Sequence, residues 1–337
     1  MKLFTSGNEA ACLGALAAGA EAMYGYPITP STEILQTWAL KSSENDELQF
    51  LQTEDETSAG FAVNGSVLAG MKTFTATAGP GTVLMQDPLS MAENLRLPSV
   101  TIVMQRGGPS TGTVNYSQQE VTLSCFGGNG EGLRIVYSAG NPQEMYDYVI
   151  KGFDSAWKYR FPTIILGDGY IGKQKTSVNI NHPLHPIKTE NLAKGKNLRN
   201  CFSSEDEFAK YLQDSIDDFE SNSENISEYE IYGDNKADEL IIVHGSTYYI
   251  AKEAVNKLKS RKKLLIFRPI TLRPYPTHAL NRVLKNKKKV YVFESAYGQF
   301  SRLTKDIIDF DKFKGKFLSH NNPAKSYLPE EIIDTVT

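Results

Sequence analysis

The chain has 337 residues, 40% of them hydrophobic and 22% charged, and a formal net charge of −3. That length suits two domains with sizeable cores, and the composition excludes fibrous and disordered classes and gives no basic excess for nucleic acid. No apolar run reaches membrane-spanning length and MKLFTSGNEA lacks a signal-peptide pattern, so a cytoplasmic protein without a membrane partner is expected.

In chain order, a helix is expected from Asn8 to Gly19, then a buried strand AMYGY over 22–26. GYPITPSTE (25–33) follows, a stiff corner in which Thr29 reads as a helix N-cap and Pro30 as the first helical residue. Ile34, Leu35, Trp38 and Ala39 then recur at helical spacing. That helix start, with the hydroxyls of Thr29, Ser31 and Thr32, would suit a carboxylate or phosphate, although an ordinary capped helix explains it as well. A second helix is expected from Glu54 to about Leu68, with strands KTFTATA (72–78), SVTIVM (99–104), LRIVYSA (133–139) and PTIILGD (162–168). A long helix fills 142–160, and the loops GPG (79–81) and RGGPSTG (106–112) lie at strand ends. Strand–helix alternation with short connections predicts a doubly wound, mainly parallel α/β sheet over 1–170.

Residues 171–237 break this rhythm and read as a connector, with HPLHP, a Lys- and Asn-rich stretch and the acidic helix SSEDEFAKYLQDSIDDFE. His182 and His185 there are more simply loop residues than metal ligands. From 238 to 337 the alternation resumes in ELIIVHG, KLLIFRP, KVYVFES and GKFLSH, a second, smaller α/β domain. From Ile241 onward 19 Lys and Arg stand against 8 acids, a balance of +11, and the remainder carries 17 against 31, a balance of −14. KLKSRKK and KNKKK supply much of that excess, as solvated helix ends or as a docking face for an acidic protein or phosphorylated ligand. Cys12, Cys125 and Cys201 stand far apart without a CxxC spacing. They read as structural thiols that hold neither zinc nor an iron–sulfur cluster by themselves.

In open parallel sheets ligands bind beyond the carboxyl ends of the strands, where YPITPST, TAGPG and QRGGPSTG lie. Arg106, before a diglycine that lets a ligand approach the backbone, is suited to bidentate carboxylate binding; a surface arginine is the plainer reading. Glu56 has two readings. With Thr53 it forms a Thr-x-x-Glu capping box, or else it is half-buried against a ligand ring nitrogen with a pKa tuned for proton exchange.

GYPITPSTE, the Glu-x-x-Ala-Gly segment at Glu56, TAGPG, QRGGPSTG, KYRFPTIILGDGYIG and RPITLRPYP stand in this order along nearly the whole chain. In this the sequence resembles 2-oxoacid:ferredoxin oxidoreductases. The matching subunit carries the pyrimidine-side half of a thiamine diphosphate site and a transketolase C-terminal-like domain. The resemblance implies that Glu56 contacts N1′ of the aminopyrimidine and is catalytic, and that Gly79, Pro80 and Gly81 border the cofactor. It places Tyr26, Pro27, Ile28, Thr29, Pro30, Ser31, Arg106, Gly107 and Gly108 at the substrate carboxylate or coenzyme A. The implied reaction is oxidative decarboxylation of a 2-oxoacid with CoA to an acyl-CoA and CO2, with ferredoxin or flavodoxin reduced. Implied partners are a diphosphate-binding subunit and further gamma and ferredoxin-like subunits, which carry the magnesium ion and the iron–sulfur clusters.

Gly167-Asp168-Gly169, with Asn197 and Asn200 downstream, imitates the Gly-Asp-Gly…Asn motif that holds magnesium and a diphosphate. The proline-containing segment between them offers no helix to present to a phosphate, so no metal site is expected in this chain. GGNGE (127–131) stands where many 2-oxoglutarate-type relatives have a GRHGE-like stretch, and points to the 2-oxoisovalerate group, whereas QRGGPSTG points to the 2-oxoglutarate group. Two other readings stay open: the pyrimidine half of a non-redox thiamine enzyme (2-oxoacid decarboxylase or transketolase), and a non-catalytic anion-binding α/β protein.

Overall fold

The computed structural model describes residues 1–181, 189–194 and 198–337. His182, His185 and Asn197 lie outside them. Among the described residues a seven-stranded sheet runs in the order Thr271–Arg273, Ile135–Ser138, Thr163–Asp168, Val100–Gln105, Thr73–Thr77, Ala22–Gly25, Gln49–Gln52. All neighbours are parallel except the first pair. The central strands Thr73–Thr77, Val100–Gln105 and Thr163–Asp168 are buried along their whole length, as expected of parallel strands covered on both faces. One apolar cluster, with Trp38, Phe74, Ile102, Phe153 and Ile165, fills one side of the sheet; a second joins Val103, Val136, Ile164 and Leu166 to residues of the C-terminal half.

The C-terminal half builds a five-stranded sheet in the order Lys316–Asn321, Lys289–Glu294, Glu239–Ile242, Leu265–Pro269, Tyr229–Gly233. Its outer strand Tyr229–Gly233 pairs antiparallel with Leu265–Pro269, and comes from the segment read as connector. Sequence periodicity also misses Thr271–Arg273, which leaves this half to close the edge of the first sheet opposite Ile135–Ser138. Lys2–Ser6 and Lys175–Asn179 form a separate antiparallel pair. Part of the basic excess is paired within the chain, Lys257 with Glu330, Lys262 with Glu239 and Lys263 with Asp234. Cys12 and Cys125 are buried and Cys201 exposed; burial pushes the first two thiols up to about 12. No helix among the described residues is long and apolar enough to cross a membrane.

Two halves of one polypeptide meet at the carboxyl ends of the first sheet's strands. Gln118 spans the boundary: its amide donates to the His244 carbonyl at 3.1 Å, and its oxygen accepts from the Thr247 hydroxyl at 3.1 Å and the Ser295 amide at 3.0 Å. Arg268, fully buried, reaches across to Glu144 at the start of the helix Pro142–Tyr159.

Candidate active site

The corner at residues 25–33 differs from the expected N-cap. The Thr29–Pro30 peptide is cis, and the helix begins at Thr32 rather than Pro30. Both the amide and the hydroxyl of Ser31 donate to the Ile28 carbonyl, at 2.9 and 2.8 Å, closing a turn before the helix. Thr29 therefore caps nothing, and the Ser31 hydroxyl donates inward instead of facing a ligand. The turn is braced from outside by Asn8, whose amide donates to the Pro30 carbonyl at 2.7 Å and to Glu33 at 2.8 Å. Tyr26 and Thr29 are exposed, Pro27 and Ile28 half-buried, Pro30 and Ser31 buried.

What the turn presents is the Thr29 carbonyl. It accepts from Nη1 of Arg106 at 2.7 Å, which joins the first loop to QRGGPSTG. Arg106 is only 6% exposed, and its buried Nε has no partner. That nitrogen lies over Gly79, where a Cβ would stand 2.5 Å from it, so only glycine allows the guanidinium to lie there. Gly79 itself takes φ 54°, and Pro80 opens the short helix Pro80–Leu84.

Glu56 approaches the same glycine-rich loop at Gly81. The Thr53–Glu56 capping box does not form: Asp55 is the N-cap, its side chain accepting from the Ser58 amide at 2.7 Å, while the Thr53 hydroxyl donates to the Asp55 carbonyl. The shorter aspartate takes the capping role, and Glu56, now the first helical residue, turns into the protein and is 5% exposed. A Cβ on Gly81 would lie 2.3 Å from Glu56 Oε1 and 2.2 Å from Thr77 Oγ1, a buried hydroxyl without a partner. Burial raises the Glu56 pKa; its own backbone amide and the Arg106 charge work against that shift, and among the described residues no side chain donates to the carboxyl. One contiguous path thus runs Thr29 carbonyl, Arg106, Gly79, Gly81, Glu56. The diglycine folds back on itself: the Gly107 carbonyl accepts from Thr113 and the Gly108 amide donates to Gln119.

Sequence reasoning gave no role to Thr77, or to Glu120, whose buried carboxyl accepts from the Gly79 and Arg106 amides. Both are polar residues inside segments where spacing carries no signal; only their burial reveals them.

Asp168 occupies a strand end. Its Oδ1 accepts from the Tyr170 and Ile171 amides, both at 3.0 Å, and Oδ2 from the Ser246 hydroxyl at 2.6 Å across the inter-domain boundary. Burial raises its pKa to about 6. Above the unfolded value of about 3.9, ionising Asp168 therefore costs folded-state stability, and the cost is complete once pH passes about 6. Asp168→Asn keeps Oδ1 as acceptor for the two amides, turns an NH2 group toward the Ser246 hydroxyl, which can accept from it, and has no such cost. Its stability relative to the native chain is expected to improve by up to about 3 kcal/mol between pH 4 and 7, read from denaturant melts at several pH values. A pH-independent difference would show that Asp168 does not titrate in this range.

A cavity of about 680 Å³ lies elsewhere, between the helix Gln86–Asn94, residues 129–131 and the start of the helix Glu205–Ile226. GGNGE packs there against Gln86 and Ser90, and no expected site residue lines it. Among the described residues no group of three or more His, Cys, Asp or Glu is gathered that could hold a metal ion.

Residues 11–231 match the family described as pyruvate flavodoxin/ferredoxin oxidoreductase, thiamine diphosphate-binding, and residues 237–315 match pyruvate:ferredoxin oxidoreductase core domain II. The chain belongs to the 2-oxoacid:ferredoxin oxidoreductase family. It is 29% identical to the 2-oxoglutarate synthase subunit KorA of Methanocaldococcus jannaschii, over 93% of this chain and 95% of that protein. It is 32% identical to the ketoisovalerate oxidoreductase subunit VorB of Methanothermobacter marburgensis, over 87% and 86%. The structure superposes on the 2-oxoglutarate:ferredoxin oxidoreductase of Magnetococcus marinus with TM-score 0.86 and 26% identity, covering 99% of this chain. It spans 64% of that longer chain. A split-gene transketolase shares the fold, with TM-score 0.59 and 12% identity.

Proposed function

We propose that this subunit supplies the pyrimidine-side half of a thiamine diphosphate site in a complex that oxidises a 2-oxoacid with CoA. The products are an acyl-CoA, CO2 and a ferredoxin or flavodoxin reduced by the two electrons released. The observation that carries this reading is the path from the Thr29 carbonyl through Arg106 to Glu56, whose first hydrogen bond joins two loops 77 residues apart in sequence. The residues fit the cofactor's pyrimidine: a buried carboxyl that no described side chain has claimed, the unpartnered Thr77 hydroxyl beside it, and Gly81 where a side chain would intrude.

When bound, thiamine diphosphate supplies the nucleophilic carbon and the electron sink for decarboxylation. Glu56 would hold and exchange the proton at N1′, a task suited to a carboxyl whose pKa burial has raised. Arg106 would orient the substrate carboxylate through Nε, with Nη1 already fixed by Thr29. Gly108, beside which the nearest atom to an added Cβ would be the Ser110 amide nitrogen at 3.8 Å, would leave room for substrate or CoA next to the backbone, whereas Gly107 is packed against Thr113 and Ala324. The diphosphate, its magnesium ion and the iron–sulfur clusters are assigned to partner subunits. The relatives' names offer two substrates, 2-oxoglutarate and 2-oxoisovalerate.

The test is purification of the native complex, followed by assay of a panel of 2-oxoacids with CoA and a viologen dye. CoA-dependent reduction by one of these two acids is expected, and the chain purified by itself should be inactive. A native complex that oxidises no 2-oxoacid, or needs no CoA, would overturn the reading.

A further inference from the structure

Three consecutive side chains, Gln118, Gln119 and Glu120, reach three different targets. Gln118 holds the C-terminal half, and Gln119 accepts from the Gly108 amide at 3.1 Å while its carbonyl accepts from Gln299 at 2.7 Å. Glu120 turns inward. Its Oε1 accepts two amides at once, that of Gly79 at 3.0 Å and that of Arg106 at 2.9 Å, and its Oε2 accepts from the Thr82 hydroxyl at 2.5 Å. One carboxyl group thereby binds TAGPG and QRGGPSTG to each other below the surface. A buried carboxyl is costly unless its oxygens are satisfied, and here both are, by backbone amides of two separate loops and a hydroxyl.

We propose that Glu120 is a positioning residue of the active site, setting the backbone of Gly79 and of Arg106 in one register. This rests on the reading above, in which Gly79 borders the cofactor and Arg106 the substrate carboxylate. The guanidinium crosses Gly79 so closely that movement of either amide displaces Arg106 relative to Gly81 and Glu56. Glu120 touches neither ligand; it acts through the two loops.

The series Glu120→Gln, Glu120→Asp and Glu120→Ala separates positioning from stability. Glutamine keeps an oxygen for both amides and can donate to the Thr82 hydroxyl, so its KM values should stay within about threefold of native. Aspartate is one methylene short of spanning both loops, and alanine accepts nothing. For both, KM for the 2-oxoacid should rise at least about tenfold in the native complex. KM does not depend on how much enzyme is folded, so a merely destabilised protein would lower Vmax alone. Glu93→Gln, which weakens the buried pair with Arg134, is the control: lower melting temperature, unchanged KM.

Amide hydrogen exchange supplies a readout that needs no activity. Peptides over 77–82 and 105–110 should both exchange faster in the Asp and Ala variants, while Pro142–Tyr159 stays as protected as in the native chain. Unchanged KM values, acceleration of one loop only, or failure of both shortened variants to assemble beside a native-like Gln variant would assign Glu120 to stability alone and overturn the proposal. A native complex without 2-oxoacid oxidation would instead sink the functional reading, and the exchange data would still decide whether Glu120 couples the loops.

Discussion

Glu56→Gln in the assembled complex is expected to lower turnover by about 10²–10⁴-fold, the range that general acid–base groups contribute, with little change in melting temperature. The fold does not need the charge: Asp55 caps the helix, and among the described residues no side chain donates to the Glu56 carboxyl. Because burial raises the pKa, ionised Glu56 is a cost to the folded state that builds up above the ordinary carboxylate pKa and is complete once pH passes the shifted value. The Gln variant escapes that cost, so at neutral pH it should melt at the native temperature or above it, with the advantage opening as pH rises beyond the ordinary carboxylate range. Loss of function with equal or greater stability is the signature of a residue held for chemistry rather than packing. Gly81→Ala should reproduce the activity loss with Glu56 intact, since its methyl would stand 2.3 Å from Glu56 Oε1 and displace the carboxyl. Near-native turnover in Glu56→Gln would remove the residue from the mechanism, whatever became of the Gly81 variant.

The parallel sheet was legible because its central strands are short runs of apolar residues and threonine, TFTAT, VTIVMQ and TIILGD, with Gly or Pro close by, and burial on both faces favours such segments. Thr271–Arg273 and Tyr229–Gly233 were not. The first has three residues and the second alternates exposed and half-buried positions, so their pairing is decided by the sheets they join rather than by their own composition. The candidate site was legible as a set of loops that the fold brings together, but not in its hydrogen bonding. Thr-Pro and Thr-x-x-Glu are common helix-start patterns, yet here Ser31 folds onto Ile28 and Asp55 outcompetes Thr53. Both outcomes depend on a neighbour one or two residues away, which spacing rules do not rank. Glu120 is a harder case: a lone glutamate before a short helix reads as surface, and only the convergence of the Gly79 and Arg106 amides makes its burial intelligible.

Thr29 and Arg106 should separate cleanly in the same assay. Thr29 meets Arg106 through its carbonyl, and its side chain is exposed and caps no helix. Thr29→Ala should therefore spare the stability that a lost N-cap would cost, about 0.5–2 kcal/mol, and any rise in KM then reports a contact of the hydroxyl with ligand. Arg106→Lys keeps the charge but loses the planar fork, so one ammonium would have to serve both the Thr29 carbonyl and an incoming carboxylate. A hydrogen bond to a charged group is worth about 1.5–3 kcal/mol, so KM for the 2-oxoacid should rise about 10–100-fold. The KM for CoA distinguishes the two ligands: if Nε faces the 2-oxoacid, the CoA value should move far less, and if it faces CoA the order reverses. The measurement is steady-state kinetics with each substrate varied in turn, beside a melting curve for each variant. If Arg106→Lys melts early but keeps both KM values, Arg106 is a strut between two loops, and the ligand carboxylate must be bound elsewhere.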